Sequence, residues 1–153
     1  MTPLRIPPRP PKVLVIDDDE AVRSVIVRAF GRAGCDVRSA SDGRAGVKLF
    51  AAQPADLVVT DILMPNQEGI ETIMELKRSV APPKVIAISG GGTRGGQDFL
   101  KWAINLGADA TLPKPFRTSE LIFVARTLLE AKPSADVEAP AWTEFRLSSE
   151  QAA

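Results

Sequence analysis

Histidine and tyrosine are absent from this 153-residue chain, cysteine occurs once, and lysine plus arginine balance aspartate plus glutamate at 19 each. Without histidine there is no histidine triad, no imidazole metal ligand and no phosphohistidine carried on the chain itself. The single thiol, Cys35, excludes an internal disulfide and fits a reducing compartment. Lone cysteines mostly serve as small hydrophobes. A formal net charge of zero provides no overall field toward nucleic acid or an anionic surface, so any charge-based function is local. No apolar run is long enough to span a bilayer, and prolines interrupt the opening "MTPLRIPPRPPK". We therefore expect a cytoplasmic protein with no membrane partner and no direct nucleic-acid partner.

What is present is enough apolar residue, 44%, to bury one core. Residues 1–11 are proline-rich and aperiodic and are read as a flexible tail. From Lys12 short apolar runs alternate with amphipathic stretches. "KVLVI" is strand-like, and Val22, Val25, Ile26, Ala29 and Phe30 follow at helical spacing until Gly34. The pattern repeats: "CDVRSA" is a second strand, Asp42 caps a helix through Phe50, "ADLVVTD" is a third strand, and a helix covers Glu68 to Arg78. "PKVIAIS" is a fourth strand, a helix runs near Gln97 to Leu106, "ADATLPK" is a fifth strand, and a last helix covers Thr118 to about Ala131. Mostly apolar strands each followed by a helix predict an α/β fold, a doubly wound five-stranded parallel sheet with five helices. The domain is placed at 12–131, and 132–153 loses periodicity and is read as a second flexible tail.

Ligands of such sheets sit beyond the carboxyl ends of the strands, where the strand order reverses. There the sequence places Asp17 and Asp18 after strand one, Asp61 after strand three, Ser89 after strand four and Lys114 after strand five. Two carboxylates about 4 Å apart repel by about 4 kcal/mol at an effective dielectric of 20, more than one lysine offsets. Three negative charges against one positive leave a deficit matching a divalent cation. Oxygen-only ligands favour a hard ion, and magnesium uses one or two carboxylates plus phosphoryl oxygen. Asp61, alone at its strand end, is the candidate nucleophile toward phosphorus, with Ser89 and Lys114 as partners of the phosphoryl oxygens. Taken singly, an acidic pair at a strand end also serves as a solvated turn or a helix N-cap.

The motifs "VLVIDDDEAVR", "DLVVTDILMPNQEG", "VIAISGG" and "LPKPF" resemble those of the receiver domains of two-component response regulators, over about Lys12 to Ala131. The resemblance implies a flavodoxin-like fold, and a phosphoryl group accepted on Asp61 from a histidine kinase or histidine phosphotransfer protein. It further implies Mg2+ held by Asp18, Asp61 and the backbone carbonyl of Leu63, and by Asp17 through water. Ser89 becomes the switch hydroxyl and the Lys114–Pro115 bond is expected to be cis. The family's aromatic switch position holds Thr111 here, which puts the usual hydroxyl-to-ring coupling in question. Leu63 and Gly91, at positions that influence hydrolysis in the family, cannot orient water by a side chain, so slow dephosphorylation is expected.

We read the chain as a stand-alone phosphorylation switch rather than a turnover enzyme. One of Phe99 and Trp102 is expected to lie exposed, and helix four, strand five and helix five are the expected surface for a downstream protein partner, with Trp102 as candidate anchor. A phosphate sink or relay intermediate is the alternative. Gly90, Gly92 and Gly95 match a dinucleotide fingerprint, but after the fourth strand and with no acidic residue to hold a ribose. Asp17 and Asp19 match the D-x-D of haloacid-dehalogenase-like phosphatases, without that family's cap insertion or later acidic pair. Trp142, Phe145 and Leu147 form a candidate docking segment in the C-terminal tail.

Overall fold

A computed structural model describes residues 9–62, 68–90 and 101–130. Five strands, β1 (Lys12–Ile16), β2 (Asp36–Ala40), β3 (Leu57–Asp61), β4 (Lys84–Ser89) and β5 (Ala110–Pro113), form one parallel sheet in the order β2-β1-β3-β4-β5. Helices α1 (Glu20–Arg32), α2 (Gly43–Ala52), α3 (Glu68–Lys77) and α5 (Thr118–Glu130) follow strands one, two, three and five, and residues 101–105 are the described part of α4. This is the expected doubly wound architecture, with its reversal of strand order between β1 and β3. Element ends differ from the sequence reading by one or two residues. Strand five stops at Pro113, so Lys114 opens the turn after the strand instead of ending it.

The apolar runs divide by parity. Leu14, Ile16, Val58, Val85 and Ala87 point to one face, where they meet Phe50 of α2, Ile73 and Leu76 of α3 and Ala103 of α4. Val13, Val15, Leu57, Val59, Ile86 and Ile88 point to the other, against Ile26 and Phe30 of α1 and Leu121, Ile122 and Ala125 of α5. Because side chains alternate along a strand, a run apolar at every position has to be covered twice, and these strands are.

Local chemistry sets the helix ends. The Asp19 carboxylate accepts from the N–H groups of Ala21 (2.9 Å) and Val22 (3.3 Å), and the Asp42 carboxylate from that of Ala45 (2.7 Å). Each satisfies donors that a first helical turn leaves open. At the other end of α1, Gly34 takes φ 86°, a conformation costly for any residue with a Cβ, and Cys35 N–H then bonds back to Phe30 carbonyl at 3.0 Å. Within the stretch expected as an N-terminal tail, Pro11 carbonyl accepts from Asp36 N–H at 2.9 Å and Arg9 pairs with Asp56 at 3.6 Å.

Candidate functional site

The ends of β1, β3 and β4 and the turn after β5 meet at one edge. Asp17 directly follows β1 and is fully buried; Asp61 is the last residue of β3 and is buried; Asp18 is exposed. Ligand oxygens of Asp17, Asp18 and Asp61 lie within 4.8 Å of one another. Lys114 reaches over from the far side of the sheet, its Nζ donating to Asp17 Oδ2 at 3.0 Å and to Asp61 Oδ2 at 3.1 Å. Ser89 is buried at the end of β4, one position beyond Ile88, the register partner of Asp61, and its carbonyl accepts from Lys114 N–H at 2.7 Å. The five described residues expected to form the phosphoryl site, Asp17, Asp18, Asp61, Ser89 and Lys114, thus lie along one edge. Leu63, Gly91, Gly92, Gly95, Phe99 and the Trp142–Leu147 segment lie outside the described residues.

Asp19, which the sequence sets beside the pair, does not join them: its carboxylate is occupied as the cap of α1. A D-x-D site built on Asp17 and Asp19 therefore has no second carboxylate. Asp17 is instead held from both sides. Its Oδ1 accepts from Asp19 N–H at 2.9 Å, and its carbonyl accepts from Arg23 Nη1 at 2.8 Å. Arg23 was not singled out in the sequence; its signal is its place one turn into the helix that Asp17 introduces. Gly69, at the start of α3, was also passed over. A Cβ there would collide with the Ile62 Cα and the Asp61 carbonyl, so α3 begins against the residue that carries the site only because this position is bare.

Burial raises the Asp17 carboxyl above its ordinary range; the Asp19 N–H and the Lys114 ammonium offset this in part, and the Asp61 charge adds to the rise. Burial pulls the Lys114 ammonium down, but its bond to Asp17 and the charges of Asp61 and Asp17 outweigh that and leave it raised. Lys114 therefore stays a cation at neutral pH. Cys35 is no part of this chemistry, since burial, helped by the Asp56 charge, pushes its thiol up to about 12. The Lys114–Pro115 bond is cis, as expected.

The donor set fits a hard dication. Its atoms are all carboxylate oxygens, three in number, and the one ammonium at the site pairs with those of Asp17 and Asp61. Such an edge, on a doubly wound sheet and beside a fixed cation, defines a phosphoryl-accepting signalling domain. The comparisons agree. Residues 13–126 match the response regulator receiver domain, and the chain belongs to that family. Protein PetR of Rhodobacter capsulatus is 30% identical over 131 residues, 86% of this chain and 54% of PetR. The DNA-binding transcriptional regulator NtrC of Rhizobium meliloti is 38% identical over 121 residues, 78% of this chain and 24% of NtrC. The chain thus spans about half the length of the first relative and a quarter of the second. Among solved structures, a Francisella response regulator receiver domain is 31% identical with a TM-score of 0.69, covering 78% of this chain and 97% of that one. The NtrX receiver domain of Brucella abortus is 28% identical with a TM-score of 0.72, covering 78% and 99%.

Receiver domains are phosphoacceptor signalling modules that work with histidine kinases, not turnover enzymes, and an aspartate triad of this kind is typical of their Mg2+ site. Among the described residues no helix is long and apolar enough to cross a membrane.

Proposed function

We propose that Asp61 is the phosphoacceptor of this receiver and that its modification changes affinity for a protein partner. The observation that carries the reading is the shared ammonium: Lys114 Nζ touches both Asp17 and Asp61, so altering the charge on Asp61 alters a contact that ties three strands together. Asp18 and Asp61, with the Leu63 carbonyl, would hold Mg2+ directly and Asp17 through water. When bound, the ion neutralises charge on the phosphoryl oxygens. In the transfer, an Asp61 carboxylate oxygen forms the bond to phosphorus while the bond from phosphorus to the donor imidazole nitrogen breaks, and that nitrogen keeps the electron pair. The product acyl phosphate carries about one unit of negative charge more than the carboxylate, as well as strong acceptor oxygens, which gives Lys114 and the Ser89 hydroxyl new partners.

Thr111 stands in β5 opposite Ala87, half-buried. With no ring at that position, the signal has to leave through Ser89, Lys114 and the backbone of β5. The test is intact-mass analysis after incubation with acetyl phosphate and Mg2+. Wild type is expected to gain one phosphoryl group and Asp61→Asn none; uptake by the variant would refute the assignment. The lifetime of the phosphorylated form then separates a switch, which retains phosphate, from a sink or relay intermediate, which loses it quickly.

A further inference from the structure

β2 is an edge strand, and an open cleft of about 590 Å³ adjoins its end, bordered by α1 and α2. Arg23 of α1 and Lys48 of α2 line it, with Ser39 and Ser41 from the strand end and the turn after it, and Leu49 and Ala52 add an apolar wall. Among the described residues no acidic side chain lines the cleft, and neither cation forms an ion pair. Asp42, next to Ser41 in the chain, has its carboxylate engaged with the Ala45 N–H as the cap of α2.

A single exposed lysine is ordinarily just solvated. Arg23 differs, because it is half-buried and its Nη1 is fixed on the Asp17 carbonyl at 2.8 Å, so the guanidinium is held in place before any ligand arrives. Its remaining N–H donors have no acceptor among the described residues. A guanidinium, an ammonium and two hydroxyls supply donors for the oxygens of a phosphate, and two positive charges match its dianion better than a single carboxylate. The apolar wall suits a slim carbon body, and no aromatic ring lines the cleft to stack a base. We propose that this cleft binds a small aliphatic phosphate monoester, its oxygens on Arg23, Lys48 and the two serine hydroxyls and its carbon chain along Leu49 and Ala52. Arg23 then holds the ligand and the Asp17 backbone at once, which makes the cleft a second input to the acidic edge, separate from the covalent chemistry proposed for Asp61.

The test is an NMR titration of the isotope-labelled full chain with n-butyl phosphate, in chelator and at about pH 8, where the phosphate is a dianion. Expected are saturable shifts of the Ser39, Ser41 and Ala45 amides and of the Arg23 side-chain N–H by about 10 mM ligand. Affinity should fall about tenfold in Lys48→Ala, a change at an exposed position outside the core. Inorganic phosphate, which lacks the carbon chain, should bind about fivefold more weakly than the butyl ester. Shifts confined to Ser89 and Lys114 would assign phosphate to the phosphoryl edge and overturn the proposal. The same shifts from sodium chloride at matched ionic strength, or unchanged affinity in Lys48→Ala, also overturn it, and equal affinity for inorganic phosphate overturns the assignment to a monoester. No arm involves phosphorylation, so these outcomes stand apart from the Asp61→Asn result.

Discussion

With its side chain fully buried and a second carboxylate competing for the same ammonium, Asp17 holds its charge at a cost that Lys114 and the Asp19 N–H offset only in part and that a bound dication would repay further. In chelator-treated protein at pH 7, Asp17→Asn is therefore predicted to raise the melting temperature by a few degrees, on the order of 1 kcal/mol. Adding Mg2+ should stabilise wild type, by about 2.7 kcal/mol at a hundredfold excess over Kd, and stabilise the variant less, since it keeps the direct ligands but loses the charge behind the bridging water. Calorimetry with and without the ion checks both, and a destabilised metal-free variant would mean that the Lys114 bond outweighs burial. Cys35 provides a separate pH dependence. Its thiol titrates near 9.0 when unfolded and near 12 when folded, so the native state binds more protons between those values and stability falls as pH rises through that window. Replacing Cys35 with alanine should flatten the decline in melting temperature above pH 9. The sequence reveals three adjacent aspartates but not their division of labour. Asp17 and Asp19 differ by two positions along a tight turn, and that offset alone turns one into the buried side chain of the site and the other into a helix cap.

Elements were legible wherever periodicity reports burial directly: strands buried on both faces read as continuous apolar runs, and helices between them as spaced ones. Contacts between ends of elements were not, because they join residues far apart in sequence whose individual types are ordinary. Asp109 is such a case. Its Oδ2 accepts from Lys77 Nζ at 2.6 Å and from the buried Val85 N–H at 2.8 Å, while the same Lys77 Nζ donates to Pro83 carbonyl at 2.9 Å. One carboxylate thus fastens the end of α3, the start of β4 and the entry to β5. Asp109→Ala leaves the Val85 N–H without this acceptor and should cost about 1–3 kcal/mol in urea unfolding. Its distance from the phosphoryl edge predicts unaltered uptake from acetyl phosphate. Gly69→Ala predicts the opposite pairing. The new Cβ drives α3 away from the Ile62 and Asp61 backbone, an overpacking cost of about 1–3 kcal/mol, and moves Asp61 itself. Stability and phosphorylation rate should fall together, and a variant that loses only stability would show that α3 can shift without disturbing β3.

At the scale of the molecule, strand order does what no local pattern can: placing β1 and β3 side by side at the centre makes carboxylates 44 positions apart in sequence neighbours, and lets Lys114 close over them from β5. The same order leaves β5 at the edge of the sheet, with α4 packed on one face and α5 on the other. Both flanking helices carry apolar side chains into solvent, Trp102 and Ile104 on α4 and Phe123 on α5, the first 58% exposed. The sequence showed an apolar set on α4 too wide for one buried stripe, but only the packing of Ala103 into the core fixes Trp102 outward. Lys114 joins these facts, since it directly follows β5 while its ammonium rests on Asp61. On the proposed function, a change at Asp61 would pass through Lys114 to the strand that α4 and α5 flank, where an exposed indole is suited to reading it. Trp102→Ala should leave the melting temperature within about 0.5 kcal/mol of wild type, as surface substitutions do. On the proposed function, beryllofluoride should raise partner capture by wild type, and Trp102→Ala should abolish that gain. Retained capture by a folded Trp102→Ala chain would place the output surface elsewhere on the domain.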